Sequence, residues 1–165
     1  MKNIFETLFT YKVWANDDIF SVLKTLSSED HKQELYSCVR ILNHVYVVDS
    51  IFQANLQHKQ HSYKALNTAE MPTLSQLAES VSDLDAWYLR YVQNLSLHDL
   101  TEVVEFQFVD GKPGRMSRSE MLLHINNHGC YHRGAAGRVL VQIDADAPSD
   151  TLTVFLHSGT KYRAV

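Results

Sequence analysis

The spacing of apolar residues is the feature that most restricts what this chain can fold into. Over residues 2–26, apolar side chains recur every three or four positions, at Ile4, Leu8, Tyr11, Ala15, Ile19, Val22 and Leu26. Residues 37–58 show the same intervals, at Ile41, Val45, Val48, Phe52 and Leu56. This period places the apolar side chains on one face of an α-helix. Both segments are also longer than typical strands of 4–8 residues, so we predict two helices.

Two further helices are predicted, and each begins at a capping box, in which two residues exchange side chain–backbone hydrogen bonds. The candidate pairs are Thr73 with Gln76 and Ser117 with Glu120. The third helix continues with apolar residues at Leu74, Leu77, Val81, Leu84, Tyr88, Tyr91 and Leu95. The fourth runs to about Val141, although three glycines weaken it by about 1 kcal/mol each relative to alanine.

The remaining segments are connections. The polar stretch 57–72 separates the second helix from the third and is predicted to be a long crossover. Alternating Val104, Phe106 and Phe108, followed by an Asp-Gly turn, predict a small hairpin before the fourth helix. The tail, 144–165, contains one short apolar run, TLTVFL, which is either a strand or a cover segment. The fold class is therefore all-α, a four-helix bundle with a hairpin excursion, in a single domain over 1–165.

Composition excludes several classes of function. Fifteen Lys and Arg residues against nineteen Asp and Glu residues give a net charge of −4, which argues against binding to nucleic acid. No apolar run approaches the roughly 18 residues of a membrane-spanning helix, so no membrane association is expected. Two cysteines offer no disulfide framework. We therefore expect a cytoplasmic protein.

Nine histidines are the prominent polar feature. His124, His128 and His132 are four residues apart and lie along one face of the fourth helix. Imidazoles one turn apart can ligate a single ion, and His44 on the inward face of the second helix is the best third candidate. The alternative for His44 is a core histidine bonded to a carbonyl or carboxylate. His124 lies two turns from His132, so it is predicted either to support a ligating histidine without binding the ion or to act as an acid–base that faces the substrate.

Other candidates are weaker. Five histidines are predicted to be surface residues: His31, His58, His61, His98 and His157. Cys130 lies about 200° around the helix from His128, so it is predicted to pack rather than share an ion. Asp49 is a possible partner that orients His44. In HGCYH a glycine, Gly129, replaces the glutamate of the zinc-peptidase signature HExxH, which argues against that chemistry.

Three strings resemble the DinB/YfiT family of metal-binding four-helix proteins. HINNHGCYHRGAAGRVL, residues 124–140, resembles the signature H-x-x-N-H-x-x-x-H-R-G-Q. ILNHVYVVD, residues 41–49, resembles the segment that supplies a histidine from the second helix. FTYKVWANDDIF, residues 9–20, is similar to a first helix reading Y-x-x-W-A-N. The matches lie in the expected order and cover nearly the whole chain.

The resemblance implies more than the spacing does. It implies an up-down-down-up bundle with a long link between the second and third helices, and a homodimer. It also implies a three-histidine metal site, whose ligands in this chain would be His44, His128 and His132. One departure is visible, because Ala135 stands where the family commonly has glutamine.

Three neutral imidazoles leave an ion with an open coordination position, which is typical of catalytic sites. The leading hypothesis is an enzyme whose divalent metal ion, zinc or nickel foremost and iron or manganese as alternatives, activates a small thiol or water. It would be a thiol S-transferase or a hydrolase with a small-molecule substrate. Related families use bacillithiol, mycothiol or glutathione, so the substrate could include a low-molecular-weight thiol. Two alternatives stay open: a non-catalytic metal- or small-ligand-binding bundle, and a purely structural bundle.

Overall fold

The computed structural model describes the backbone of residues 2–158 and the side chains of residues 4–157. Its elements in chain order are α1 (Lys2–Thr25), α2 (Lys32–Leu56), α3 (Leu74–Asn94), β1 (Val103–Gln107), β2 (Pro113–Ser117), α4 (Arg118–Gln142) and α5 (Leu152–Ser158). The predicted all-α fold with a hairpin before the fourth long helix is therefore confirmed. The end of the predicted tail segment, residues 159–165, lies outside the described residues.

The bundle core lies between the four long helices. Helices α1 and α2 each pack against both α3 and α4. One apolar cluster is built around Phe9, Phe52 and Tyr88, and a second around Leu23 and Leu140. Each large apolar side chain buried in this way contributes about 1.5–3 kcal/mol. This packing holds α2 and α4 face to face, which determines where their polar side chains meet.

Two helices begin at the predicted capping boxes, whereas α2 begins earlier in the chain than predicted. Thr73 accepts from the backbone N–H of Gln76 at 3.2 Å, and Ser117 accepts from that of Glu120 at 3.2 Å, so both capping boxes are confirmed. The predicted start of α2 near residue 37 is wrong, because the helix begins at Lys32. Its first turn is mostly polar and solvent-facing, so apolar spacing could not reveal it.

The hairpin is antiparallel, with Phe106 opposite Gly114. Its turn contains Gly111 at φ 86°, a backbone conformation that favours glycine. A Cβ atom on Gly114 would lie 2.5 Å from Cε2 of Phe106, so the ring of Phe106 crosses the space that a side chain would occupy. The glycine therefore lets Phe106 lie across its partner strand.

The tail covers one end of the bundle as a helix. Of the two alternatives for TLTVFL, the strand is wrong, because most of the run lies in α5. Phe155 is fully buried there, and its ring centroid lies 5.8 Å from that of Tyr11 and 5.7 Å from that of Trp14. Trp14 therefore belongs to this apolar cover. Among residues 2–158, none of the helices is both long enough and apolar enough to cross a bilayer.

Candidate metal centre

Three histidines from two helices converge between α2 and α4. His44 comes from α2, and His128 and His132 come from successive turns of α4. Each offers one ring nitrogen, and the three nitrogens lie within 4.8 Å of one another. Nε2 of His44 is 3.1 Å from Nε2 of His128. The three ring centroids are separated by 4.4 to 5.0 Å. We call these residues the histidine group.

The orientation of His44 is set by the crossover between α2 and α3. Its Nδ1 lies 2.8 Å from the carbonyl oxygen of Leu66 and donates to it. The proton is thereby held on Nδ1, so the lone pair of Nε2 points toward the other two imidazoles. Asn43, the preceding residue, donates to Thr68 at 2.9 Å and to Asn67 at 3.3 Å. These bonds fasten the crossover beside the histidine group.

Two members of the histidine group are held in the neutral form by their surroundings. Burial lowers the pKa of His128 to about 3, with further lowering by His132, His44 and His124. Burial, followed by the neighbouring His44, also lowers the pKa of His132. A neutral imidazole has a lone pair available for a metal ion, whereas an imidazolium does not. His128 and His132 are therefore in the protonation state that ligation requires.

The donor set suits a divalent metal ion. Within the described part of the chain, the group contains no carboxylate and no thiolate. Imidazole nitrogen is a good ligand for zinc, nickel, copper and iron, so the donor set alone does not distinguish these ions. The Nδ1 atom of His128 is buried and has no hydrogen-bond partner among the described residues. Burying an unpaired polar atom costs free energy, so hydrogen bonding within the protein does not explain why this imidazole is buried.

An apolar cavity of about 350 Å³ adjoins the group, and we call it the inner chamber. His44 and His128 form one wall of it. The rest of the wall is largely apolar and comes from α2, the crossover, the hairpin and α4, with Val48, Ile51, Phe52, Leu66, Phe106, Phe108, Val109 and Met116 as its apolar members. Its volume falls within the range of small-molecule sites.

His124 lines the inner chamber without joining the group. Its ring stacks on that of His128 at a centroid distance of 5.4 Å and lies 4.9 Å from that of Phe52. Burial lowers the pKa of its imidazole. This position is compatible with both roles predicted for it.

The prediction that Asp49 orients His44 is wrong. Asp49 is 1% exposed and its Oδ2 lies 3.1 Å from Nζ of Lys12, because five residues of helix turn it away from His44. Burial raises its pKa to about 6, against the opposing effect of Lys12. The acceptor for His44 is instead a backbone carbonyl.

Asp49 belongs to what we call the charged cluster, comprising Lys12, Asn16, Asp49, Asp85 and Arg133. The ammonium of Lys12 donates to Asp85, which also accepts from Asn16 at 2.6 Å. Arg133 donates to Asn16 at 3.2 Å. Burial works to lower the pKa of Lys12, but its two carboxylate neighbours outweigh this and the pKa is raised. His132 and Arg133 are thus adjacent in sequence but serve different clusters.

The other predicted residues fall outside the group. Cys130 packs between Tyr11 and Arg133, as expected from its angle on the helix. His58 is exposed but not isolated, since its Nε2 lies 3.4 Å from a carboxylate oxygen of Glu102. His61 is half-buried, and its Nδ1 is enclosed without a hydrogen-bond partner among the described residues, so the surface prediction is wrong for it.

Sequence reasoning missed the carbonyl of Leu66 and the wall of the inner chamber. A backbone carbonyl carries no sequence signal, so the first could not have been found. The alternation of Phe106 and Phe108 did indicate one apolar face of a strand. That face points at the chamber, but only the hairpin's position against α2 shows it.

Comparison with known proteins agrees with this architecture. The family model described as "DinB family" matches residues 1–162. The chain is 32% identical over 153 residues to "Protein DinB" of Bacillus subtilis (strain 168), covering 87% of this chain and 88% of that protein. The crystal structure of a DinB-like protein from Bacillus cereus ATCC 10987 superposes with a TM-score of 0.64 at 20% identity. That alignment covers 88% of this chain and 94% of the other, and shows a shared fold.

Proposed function

This chain belongs to the DinB family, and from that premise we propose that it is a metal-dependent enzyme acting on a small molecule in the inner chamber. His44, His128 and His132 would hold a divalent ion. The observation that carries the proposal is a group of three imidazoles, without a carboxylate among them, two of which, His44 and His128, line an apolar cavity. When bound, such an ion supplies a positive charge that lowers the pKa of a thiol or water.

We propose thiol S-transfer as the leading reaction, with hydrolysis as the alternative. A thiol whose pKa the ion has lowered attacks as the thiolate, and no further deprotonation is needed. Among the described residues, the lining of the inner chamber contains no aspartate or glutamate, so His124 is the side chain there that could take a proton from water in the hydrolytic alternative. The apolar wall excludes water from the reacting end of the substrate.

His124 is the imidazole of the inner chamber that stays outside the metal-binding set in this proposal. It can exchange a proton with a substrate in the chamber without giving up a bond to the ion. We expect His124→Gln to retain metal binding and to lower kcat more than it changes KM. If metal is lost in this variant, His124 is instead needed to hold the group together.

Metal analysis of untagged protein is the first test, followed by a screen for transfer from several low-molecular-weight thiols. We expect one divalent ion per chain, and loss of both metal and transfer in His128→Ala. The matched control is His98→Ala, which removes an exposed histidine. Untagged protein that retains no ion after incubation with zinc or nickel would overturn the proposal.

A second candidate is a bundle that binds metal or a small ligand without catalysis, and it is favoured by the lack of carboxylates among the described residues that line the inner chamber. In that case His128→Ala would lose metal, whereas wild-type protein would transfer no thiol and hydrolyse no ester. Turnover that disappears in a folded His128→Ala variant would exclude this candidate.

The homodimer implied by the family is tested in the same preparations by light scattering.

A further inference from the structure

A second cavity continues from the inner chamber, away from the histidine group. This outer chamber has a volume of about 520 Å³ and lies between the end of α2, the start of the crossover and the hairpin. The two chambers share Asn55, Phe106 and Phe108 among their lining residues. They therefore form one elongated site that begins at the proposed metal centre and ends near Lys59.

The two chambers differ in chemistry. Apolar side chains dominate the inner one, as described above. The outer one contains the polar residues Lys59, Gln60, His61 and Glu105. A ligand that fills both must be apolar toward the ion and polar at its far end, because an unpaired polar group in the inner chamber would lose its hydrogen bonds to water.

Asn55 lies where the two chambers meet, and its side-chain nitrogen lacks a hydrogen-bond partner among the described residues. It lies eleven residues after His44 on α2, on nearly the same face and about 16 Å along the axis. The residue is only 8% exposed, yet its side-chain amide nitrogen donates to no atom of the described residues. Such a donor costs free energy unless an acceptor reaches it, so it points to an acceptor on the ligand.

Two further groups, on His61 and Lys59, also favour a ligand that carries a hydrogen-bond acceptor. Nδ1 of His61 is buried without a partner and, when it carries the ring proton, offers a second donor in the outer chamber. The ammonium of Lys59 donates to the amide of Gln57 at 2.8 Å and has no carboxylate within ion-pair distance among the described side chains. The carboxylate of Glu105 lies 3.9 Å from Nε of Arg115, so it already has a cation beside it.

We propose that the elongated site binds an amphipathic carboxylate, with its apolar body in the inner chamber and its carboxylate in the outer chamber near Asn55, His61 and Lys59. An anionic acceptor satisfies both unpartnered donors and the uncompensated charge of Lys59. The placement of the ligand's apolar end beside the histidine group, where the reaction would take place, rests on the proposed function. The recognition of the carboxylate does not need a metal ion.

Octanoate is a suitable probe, and binding is measured by titration calorimetry on zinc-loaded protein and on protein stripped with chelator. We expect octanoate to bind at least tenfold more tightly than octylammonium, which has the opposite charge, and than acetate, which has no apolar body. Asn55→Leu and Lys59→Gln should each weaken octanoate binding by about tenfold. The matched control is Lys64→Gln, which removes an exposed cation elsewhere in the crossover.

The metal-free arm separates this inference from the proposed function. Octanoate binding that persists without metal and depends on Asn55 and Lys59 supports the inference, even if no ion or turnover is ever found. Binding that requires zinc and ignores both substitutions would place the carboxylate on the ion and overturn the inference. Equal affinity for octanoate and octylammonium would overturn it as well. Because Lys59 is exposed, its variant stays informative if Asn55→Leu fails to fold.

Discussion

Two groups of polar side chains lie in the same bundle and differ in where their hydrogen bonds go. In the charged cluster, Lys12, Asp85 and Arg133 are almost fully buried and are paired with neighbouring side chains. In the histidine group, the imidazoles are half-buried and turn their nitrogens toward one another beside a cavity. Pairing within the protein indicates a structural role, whereas lone pairs directed at a common point indicate a binding role.

The space beside each group makes the same distinction. The cavity at the charged cluster is about 10 Å³, which is too small for more than a single water. The cavity at the histidine group is about 350 Å³. We therefore expect changes in the charged cluster to affect folding, and changes in the histidine group to affect binding. Four measurements test that contrast.

The largest effect is expected from Lys12→Met. Removing the ammonium leaves Asp49 and Asp85 buried without their cation, which should lower the free energy of unfolding by about 3–5 kcal/mol. Urea denaturation measures the change. The control is Lys24→Met, an exposed lysine of the same helix. Similar losses in the two variants would show that the cluster contributes little to stability.

The pH dependence of stability should report Asp49. Its pKa of about 6 lies above the value of about 3.9 in unfolded chains, so the folded state binds the proton more tightly. The resulting stability is present below pH 4 and is lost as the pH rises to 6. Relative to Asp49→Asn, wild-type protein should therefore lose about 2 kcal/mol between pH 4 and pH 7.

Urea titrations of both proteins at several pH values measure this difference, and Asp83→Asn, at an exposed position of α3, is the control. If the stability difference between wild type and Asp49→Asn does not change with pH, the pKa of Asp49 is the same in the folded and unfolded states, and the prediction is wrong.

Metal should stabilise the protein only through the histidine group. A divalent ion at about one hundred times its dissociation constant stabilises the folded state by about 2.7 kcal/mol, which raises the melting temperature by about 5–10 °C. We expect this shift in wild-type protein and in His98→Ala, and none in His44→Ala or His128→Ala. Equal shifts in all four proteins would place the ion elsewhere.

The smallest effect is expected at the hairpin, which closes the inner chamber. A methyl group on Gly114 must displace the ring of Phe106, so Gly114→Ala should cost about 1 kcal/mol and weaken octanoate binding while leaving metal affinity unchanged. Gly134→Ala is the control, and its expected change in stability has the opposite sign. Its Cβ would meet nothing within 4 Å, so it should stabilise α4 by up to about 1 kcal/mol.

Thermal unfolding and calorimetry distinguish the two glycine variants. If Gly114→Ala is as stable as wild type and binds octanoate equally well, the ring of Phe106 is not part of the ligand site. The histidine group would then be open to a wider space than the inner chamber.

The predictable parts of the site are those set by one helix. His128 and His132 are a turn apart in α4, so their shared face follows from helical geometry alone. The inward face of α2 points to His44, and the family resemblance implies the same residue. The prediction for Asp49 is wrong because the spacing of residues on α2 carries no information about Lys12, which contacts Asp49 from α1.

What the sequence determined by itself is therefore local: the four amphipathic helices, two of their caps, the hairpin and the spacing of the histidines. These features depend on residues within a few turns of one another, where backbone geometry is nearly invariant. The tertiary structure alone decided which carbonyl orients His44, that Asn55 and His61 face a cavity without partners, and that the tail is a helical cover. Such contacts join residues distant in the chain, and their energies exist only after the helices have packed.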